Sequence, residues 1–200
     1  MKLITDISQL DLKKQYTYAD YLTWQFSERV ELIKGWIHKM SPAPRRVHQV
    51  YSKRLIVNID NFLENKPCEI YHAPFDVRLV KNKGQENQKI NTVVQPDICV
   101  ICDLEKLDDA GCVGAPDLII EILSDSTAKK DYNEKFNLYE ENEVKEYWIV
   151  NPATHNIEVF SLMDGSFVSL GLFNEKEGVK TVQGHLFPEL QIELKTIFSI

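Results

Sequence analysis

The sequence predicts an α/β fold with a central mixed β-sheet flanked by helices. An apolar segment at 118–123, a helical segment at 131–141 and a strand-like segment at 146–151 follow one another. This order predicts a βαβ unit with two parallel strands. Turn signals within 157–187 predict antiparallel strands after that unit. Parallel and antiparallel pairs together make the expected sheet mixed.

Composition predicts one globular domain. The chain has 200 residues, of which 44% are hydrophobic and 26% charged, enough for a full-sized core. We assign residues 1–200 to this domain, with an amino-terminal extension at 1–16 and a β-rich carboxy-terminal extension at 157–200 packed on the core. The sequence lacks an apolar run of about 18 residues and begins without a signal-peptide pattern. These features predict a cytoplasmic protein with no membrane partner.

The amino-terminal part of the chain predicts two helices and a hairpin. Residues 17–26 predict a short helix with Thr17 as its N-cap. Strands at 30–33 and 36–40 predict a hairpin, with Lys34-Gly35 as a two-residue turn. A long helix is predicted at 46–65 from apolar residues at helical spacing. These residues are Val47, Tyr51, Leu55, Ile59, Phe62 and Leu63.

The rest of the chain predicts alternating strands, loops and helices. Alternation and apolar runs predict strands, and polar glycine-containing stretches predict connections. The expected strands are 69–80, 93–101, 118–123 and 146–151, followed by antiparallel strands within 157–173 and 180–187. The expected connections are the loop 81–91 and the polar segment 103–115, and capping residues are expected at 124–127. A closing helix turn or strand is expected at 194–200.

The four cysteines are expected to be buried free thiols. Cys99 and Cys102 have a C-x-x-C spacing, which would suit a zinc or redox site. In a strand, however, residues three apart point to opposite faces, and neither a second such pair nor a His pair completes four ligands. Cys68 and Cys112 offer no further pattern, so packing explains all four.

Two carboxylates stand inside segments that predict buried strands. Asp97 lies in 93–101 and Glu121 in 116–123, where a charge is costly unless a cation pairs with it. If the two strands pair, both side chains can converge on one divalent cation such as Mg²⁺. Such an ion lowers the pKa of bound water, which can then attack a phosphodiester. Lys135 shares a helix face with Asp131 and Tyr139 and is the candidate for stabilising charge on phosphorus.

Five segments of the chain together resemble a known nuclease family. Pro96-Asp97 followed by a strand with Glu121 resembles the PD-(D/E)xK superfamily, which has the restriction-endonuclease-like fold. The wider pattern resembles the Uma-type "putative restriction endonucleases", long filed as a domain of unknown function. Its segments are 30–35 with 40–42, His48, 96–100, 116–124, and Asp131, Lys135 and Tyr139 with 146–152. They cover roughly residues 17 to 160.

The resemblance implies a set of site residues. Asp97, Glu121 and the backbone carbonyl of Ile122 would bind Mg²⁺ or Mn²⁺. The superfamily lysine position is occupied by Leu123, and the resemblance suggests that its role has moved to Lys135 on the following helix. The remaining implied members of the catalytic site are Glu31 and His48.

The sequence therefore predicts a metal-dependent endonuclease acting on double-stranded DNA, with a homodimer expected by analogy. The alternative is a nuclease-fold module that binds nucleic acid or protein without cutting. The net charge of −7 counts against a nuclease acting on DNA, because nucleic-acid binding normally leaves a basic footprint, and Leu123 at the superfamily lysine position favours the module that does not cut.

Structural roles also remain open for each candidate residue. Asp97 suits a turn, Glu121 a structural ion pair with Lys135, and Asp117 a turn or cap. Glu31 suits a solvent-facing hairpin position, and His48 a helix surface or core edge. Lys135 could instead pair with Asp131 across one helical turn.

Overall fold

Two mixed β-sheets form the body of the protein. The structure is a computed structural model that describes residues 3–40, 44–80, 84–124 and 131–199. Its strands are β1 (Val30–Ile33), β2 (Trp36–Lys39), β3 (Glu69–His72), β4 (Val77–Arg78), β5 (Val93–Val94), β6 (Ile98–Ile101), β7 (Leu107–Asp108), β8 (Gly111–Val113), β9 (Leu118–Ile122), β10 (Glu146–Asn151), β11 (Asn156–Met163), β12 (Ser166–Asn174), β13 (Thr181–Gln183) and β14 (Gln191–Glu193). Its α-helices are α1 (Tyr18–Tyr21), α2 (Arg46–Leu63), α3 (Phe136–Glu141) and α4 (Leu194–Phe198).

The strand order explains why both sheets are mixed. The first sheet has the order β2-β1-β5-β4-β8-β7, and the second has the order β12-β11-β10-β9-β6-β3. Strands β9 and β10 are parallel, whereas β6 and β11 run antiparallel to them. The predicted α/β class, the mixed strand directions and the βαβ order are confirmed. The strands form two large sheets, however, where the sequence predicted one central sheet.

Two of the predicted strands are interrupted. The segment 69–80 divides into β3 and β4, and 93–101 divides into β5 and β6, with one part in each sheet. Each break contains a proline, Pro74 or Pro96, which has no N–H for a strand ladder. The prediction of single strands here was wrong, and the breaks are where the chain crosses between the sheets.

The segment 103–115 was predicted as a polar connection, and this was also wrong. It contains β7 and β8, and β8 pairs in parallel with β4. The Cys112 N–H donates to the Asp76 carbonyl and extends this pairing. Strands of two and three residues are too short to produce a visible alternation pattern.

Turns and caps largely follow their sequence signals. Thr17 caps α1 through a capping box with Asp20, and Lys34 and Gly35 adopt positive φ in the β1–β2 turn. Of the antiparallel strands expected within 180–187, β13 is present, but its partner β14 lies beyond that range, at Gln191–Glu193. The closing helix is present as α4. The caps predicted at 125–127 lie outside the described residues.

Apolar clusters fill the spaces between the layers. One cluster lies between the helices α2 and α4 and one face of the second sheet. Another joins the opposite face of the second sheet to the first sheet and α3. Strand β9 contributes to both, because Leu118, Ile120 and Ile122 face α2 while Ile119 faces the first sheet. In a third cluster, residues near the amino terminus pack on the other face of the first sheet.

One pair of cysteines departs from the sequence prediction. Cys68 and Cys102 form a disulfide, so the expectation of four free thiols was wrong for these two. They are 34 residues apart in sequence, and only the packing of β3 beside β6 brings them together. Cys99 and Cys112 are buried free thiols, as predicted.

None of the described helices is long and apolar enough to cross a membrane. The division into an extension at 1–16, a core and an extension at 157–200 stays a prediction. The cytoplasmic location also stays a prediction.

A substitution at Gly111 tests the close approach of β8 to the chain beside β4. Its φ is +124°, and a Cβ there would lie 2.2 Å from the Asp76 carbonyl oxygen. We expect Gly111→Ala to lower the free energy of unfolding by about 2 kcal/mol or more, measured by urea denaturation. Gly165→Ala is the matched control, because φ is +81° there but nothing lies within 4 Å, and about 1 kcal/mol is expected. Equal losses would contradict the close approach.

Candidate active site

Glu121 is a buried carboxylate at the centre of the second sheet. It lies on β9, between the parallel β10 and the antiparallel β6, and is 4% exposed. Its side chain shares a strand face with Ile119 and Leu123, which belong to the cluster between the two sheets. Glu121 Oε1 accepts hydrogen bonds from the Lys135 ammonium and the Tyr139 hydroxyl, both at 2.7 Å. The fold therefore places a carboxylate in an apolar layer. The side chains that donate hydrogen bonds to it lie on the helical segment after β9.

Lys135 reaches Glu121 from a π-helical turn. Residues Asp131–Lys135 form this turn immediately before α3, and both end residues are buried. Besides Glu121, the Lys135 Nζ lies 3.1 Å from Glu31 Oε1 and 3.8 Å from Asp131 Oδ1. Pairing with Asp131 alone is therefore not the role of Lys135, since its nearest acids come from other elements.

Burial and neighbouring charges shift the pKa values of this pair. Burial raises the pKa of Glu121 to about 8; Lys135 opposes the rise, while Asp131, Asp97 and Glu31 add to it. Burial alone would lower the pKa of Lys135, but Glu121, Glu31 and Asp131 outweigh it and hold that pKa well above its ordinary value. The ammonium is thus firmly protonated beside a carboxylate whose charge is costly.

Asp97 stands at the break between β5 and β6. Its Oδ2 accepts a hydrogen bond from the Ile122 N–H at 2.8 Å and lies 3.0 Å from His48 Nε2. Its own backbone N–H donates to Glu121 Oε2 at 3.4 Å. Asp97 is therefore linked to β9 through both its backbone and its side chain. The structure brings the Ile122 amide, rather than its carbonyl, to the Asp97 carboxylate.

Glu31 comes to the site from β1 in the first sheet. It is 1% exposed, so the solvent-facing alternative is wrong. Its Oε1 accepts the Gln95 backbone N–H at 3.0 Å and also lies near Lys135. Glu31 thus joins the first sheet to the charged residues of the second.

All the side chains proposed from the sequence lie in one connected network. It runs from His48 through Asp97 and Glu121 to Lys135 and Glu31, and it draws on α2, both sheets and the π-helical turn. Asp117, immediately before β9, lies outside this network; it accepts a hydrogen bond from the Cys102 N–H and pairs with Lys145. Asp117 therefore has a structural role, but through contacts between distant segments rather than as the turn or cap that the sequence suggested.

Sequence reasoning missed two members of this network. Tyr139 donates to Glu121, and Tyr147 on β10 donates to the Asp131 carbonyl at 3.2 Å. The shared helix face of Asp131, Lys135 and Tyr139 was a usable signal for Tyr139. Tyr147 gave none, because a bulky residue in a strand predicts core packing.

Removing the Lys135 ammonium tests the charge pairing. We expect Lys135→Met to lower the free energy of unfolding by about 3 kcal/mol or more, because three buried acids, Glu31, Glu121 and Asp131, lose the ammonium that lies beside them all. Lys34→Met is the matched control: Lys34 and Glu141 form an ion pair whose side chains are 58% and 50% exposed, and less than about 1 kcal/mol is expected. Urea denaturation measures both, and a loss at Lys135 as small as that at Lys34 would contradict the pairing.

The raised pKa of Glu121 predicts a pH-dependent stability. Between its ordinary pKa and about 8, Glu121 holds a proton in the folded chain but not in the unfolded chain, so stability falls as pH rises. We expect Glu121→Gln to remove this component, so wild type loses stability relative to the variant from pH 5 to pH 8. Urea denaturation in EDTA measures the difference, and a constant difference across this range would contradict the raised pKa.

Comparisons with known proteins place the fold. The chain is 28% identical over 148 residues to "Uncharacterized protein slr1290" of Synechocystis sp., covering 72% of this chain and 73% of that protein. It is 29% identical over 150 residues to "Uncharacterized protein sll1609" of the same organism, covering 72% and 80%. A solved structure titled a "putative nuclease belonging to DUF820" from Anabaena variabilis superposes with a TM-score of 0.69 at 18% identity, covering 92% of this chain and 98% of that one. This likeness shows that the two chains share a fold.

The family resemblance seen in the sequence is confirmed. A family model described as "Putative restriction endonuclease" matches residues 18–195, which include every residue of the network. The chain belongs to the Uma2 family.

Proposed function

We propose that this protein is a divalent-metal-dependent endonuclease that hydrolyses DNA phosphodiester bonds. The observation that carries the proposal is the convergence of Glu31, His48, Asp97, Glu121 and Lys135 in one hydrogen-bonded network. Five residues from five separate segments of chain meet at one place, and each has a use in phosphodiester hydrolysis. The family description and the neighbour's printed title favour the same chemistry.

The donor atoms at the network suit a hard cation. Within the described residues, no three His, Cys, Asp or Glu side chains are arranged to hold a metal on their own. Magnesium does not need such a cage, since it is commonly bound by one or two carboxylates and keeps several waters. Asp97 and Glu121 supply the carboxylates, and we add the Ile122 carbonyl. Burial is the main cause that raises the pKa of Glu121 to about 8, the nearby Asp131, Asp97 and Glu31 add to the rise, and a bound cation would oppose it.

Each residue has a defined task in the proposed reaction. A bound divalent ion would supply Lewis-acid polarisation and a water of lowered pKa. Lys135, held protonated by its acidic neighbours, provides positive charge for the developing phosphorane. Glu31 and Tyr139 fix the direction of the lysine and of Glu121 through hydrogen bonds. His48 orients Asp97 through the 3.0 Å contact.

The partner, assembly and location belong to the same proposal. DNA, taken as double-stranded, is the substrate, and a homodimer would allow both strands to be cut. Mg²⁺ or Mn²⁺ is the cofactor, and the cytoplasm is the site of action. The second candidate is a binding module that does not cut, favoured by the net charge of −7 and by Leu123 at the superfamily lysine position.

Plasmid cleavage tests the proposed activity. We expect purified protein to nick or linearise supercoiled DNA with Mg²⁺ or Mn²⁺, and EDTA to abolish the reaction. Asp97→Asn and Glu121→Gln each remove one carboxylate charge while keeping side-chain size, so cleavage should fall by at least about a hundredfold. Gel electrophoresis over a time course measures the rates.

Asp117→Asn is the matched control, because Asp117 is a buried acid next to β9 whose contacts lie outside the network. It should keep cleavage within a few fold of wild type. Equal cleavage by wild type and all three variants would mean that these carboxylates do not catalyse it. A lack of cleavage with either metal would favour the binding module.

A further inference from the structure

A cleft opens beside the candidate active site and takes no part in the proposed reaction. Its volume is about 440 Å³, and its walls come from the β3–β4 break, the β5–β6 break and the β7–β8 turn. The lining side chains used below are Tyr71, Phe75, Asp76, Gln95, Asp108 and Asp109. This size falls within the range of small-molecule sites.

Two stacked aromatic side chains line the cleft. Tyr71 and Phe75 are stacked, with ring centroids 4.2 Å apart and planes only 12° apart. Both rings are half-buried and both line the cleft. The Tyr71 hydroxyl donates to Glu69, which holds the ring in place. A planar ligand can extend this stack, as bases do on the aromatic residues of nucleic-acid-binding proteins.

The polar groups of the cleft are acceptors and an amide, not cations. Asp108 pairs with Arg78, while Asp76 accepts hydrogen bonds from Gln95 and Tyr21. Three carboxylates in one cleft disfavour phosphate. Carboxylates do, however, accept hydrogen bonds from exocyclic amino groups such as N4 of cytosine. The chemistry of the walls therefore fits a nucleobase better than the nucleic-acid backbone.

The cleft and the candidate active site share one short piece of chain. Gln95 lines the cleft with its side chain and donates its backbone N–H to Glu31. Asp97 follows after a single residue, so the Cα atoms of residues 95 and 97 are at most about 7 Å apart. The Asp97 carbonyl also accepts a hydrogen bond from Ala73, in the break that forms the opposite wall. The chain segment from Gln95 to Asp97 therefore joins the cleft to the candidate active site.

We propose that this cleft binds one unstacked nucleobase that carries an amino group, stacked on Tyr71 and Phe75 and hydrogen-bonded to the carboxylates beside them. The proposal rests on the proposed function for the identity of the polymer. It adds that the protein favours DNA in which a base is free to leave the helix, such as a bulge or a mismatch. Such a base has already lost much of the stacking that extraction would otherwise break.

Fluorescence anisotropy in EDTA tests the proposal, because binding is then measured with no cleavage. The probes are labelled 20-base-pair duplexes that are fully paired, or carry one bulged cytosine or one bulged thymine. We expect the cytosine bulge to bind at least about fivefold more tightly than the paired duplex, as one base–aromatic stack allows. It should also bind about fivefold more tightly than the thymine bulge, which has no amino group.

Substitutions in the aromatic wall identify the site. Phe75→Leu and Tyr71→Leu should each remove most of the preference for the bulge while keeping an apolar side chain. Tyr71→Phe should retain it, because the ring remains. Phe62→Leu is the matched control, since Phe62 packs on Phe187 away from the cleft. Thermal unfolding checks that each variant is folded.

The outcomes separate this proposal from the proposed nuclease function. Equal binding of bulged and paired duplexes by wild type would overturn the cleft proposal, whatever the plasmid assay gives. A bulge preference that persists in both leucine variants would also overturn it. A preference that depends on the two rings, in a protein that cleaves no plasmid, would support the cleft and count against the nuclease function.

Discussion

The buried pairing of Glu121 with Lys135 is the interaction on which the rest of the site depends. A carboxylate in the middle of a strand between two apolar layers is unstable alone, and the ammonium 2.7 Å away makes it tolerable. The partner cannot come from the same strand, because the neighbouring side chains on that face pack in the core. It comes from the π-helical turn after β9. Wide turns of this type inside helices are frequent at functional sites.

The same carboxylates also explain how the chain crosses between the sheets. At the β5–β6 break, Pro96 has no backbone N–H, and the N–H groups of Gln95 and Asp97 turn away from the strand ladder. They donate to Glu31 and Glu121 instead. Buried N–H groups need such acceptors, so the acids compensate the broken strand. The break in turn places Asp97 beside Ile122 and His48. The same short segment therefore carries the chain from one sheet to the other and positions a residue of the candidate site.

Features with a local sequence pattern could be predicted, whereas those set by contacts between distant segments could not. Residues with a local pattern were found: the apolar run around Glu121, the helix face of Lys135 and the Lys34-Gly35 turn. Asp97 was recognised as a site residue, but its segment was taken as one strand, because the acids that break the ladder are distant in sequence. The Cys68–Cys102 disulfide and strands β7 and β8 were missed for a related reason. Each depends on packing between segments and leaves no periodic signal.

Leu123 occupies the position that the superfamily resemblance assigns to a lysine, and the structure shows what surrounds it. The Leu123 side chain is 6% exposed and packs in the cluster between the sheets, where a second ammonium would need its own acid. Lys135 brings its charge to Glu121 from a different element. Its position then depends on how the π-helical turn and α3 pack, through the Tyr139–Glu121 and Tyr147–Asp131 hydrogen bonds. In this chain the two tyrosines therefore help to hold the segment that carries Lys135 against Glu121.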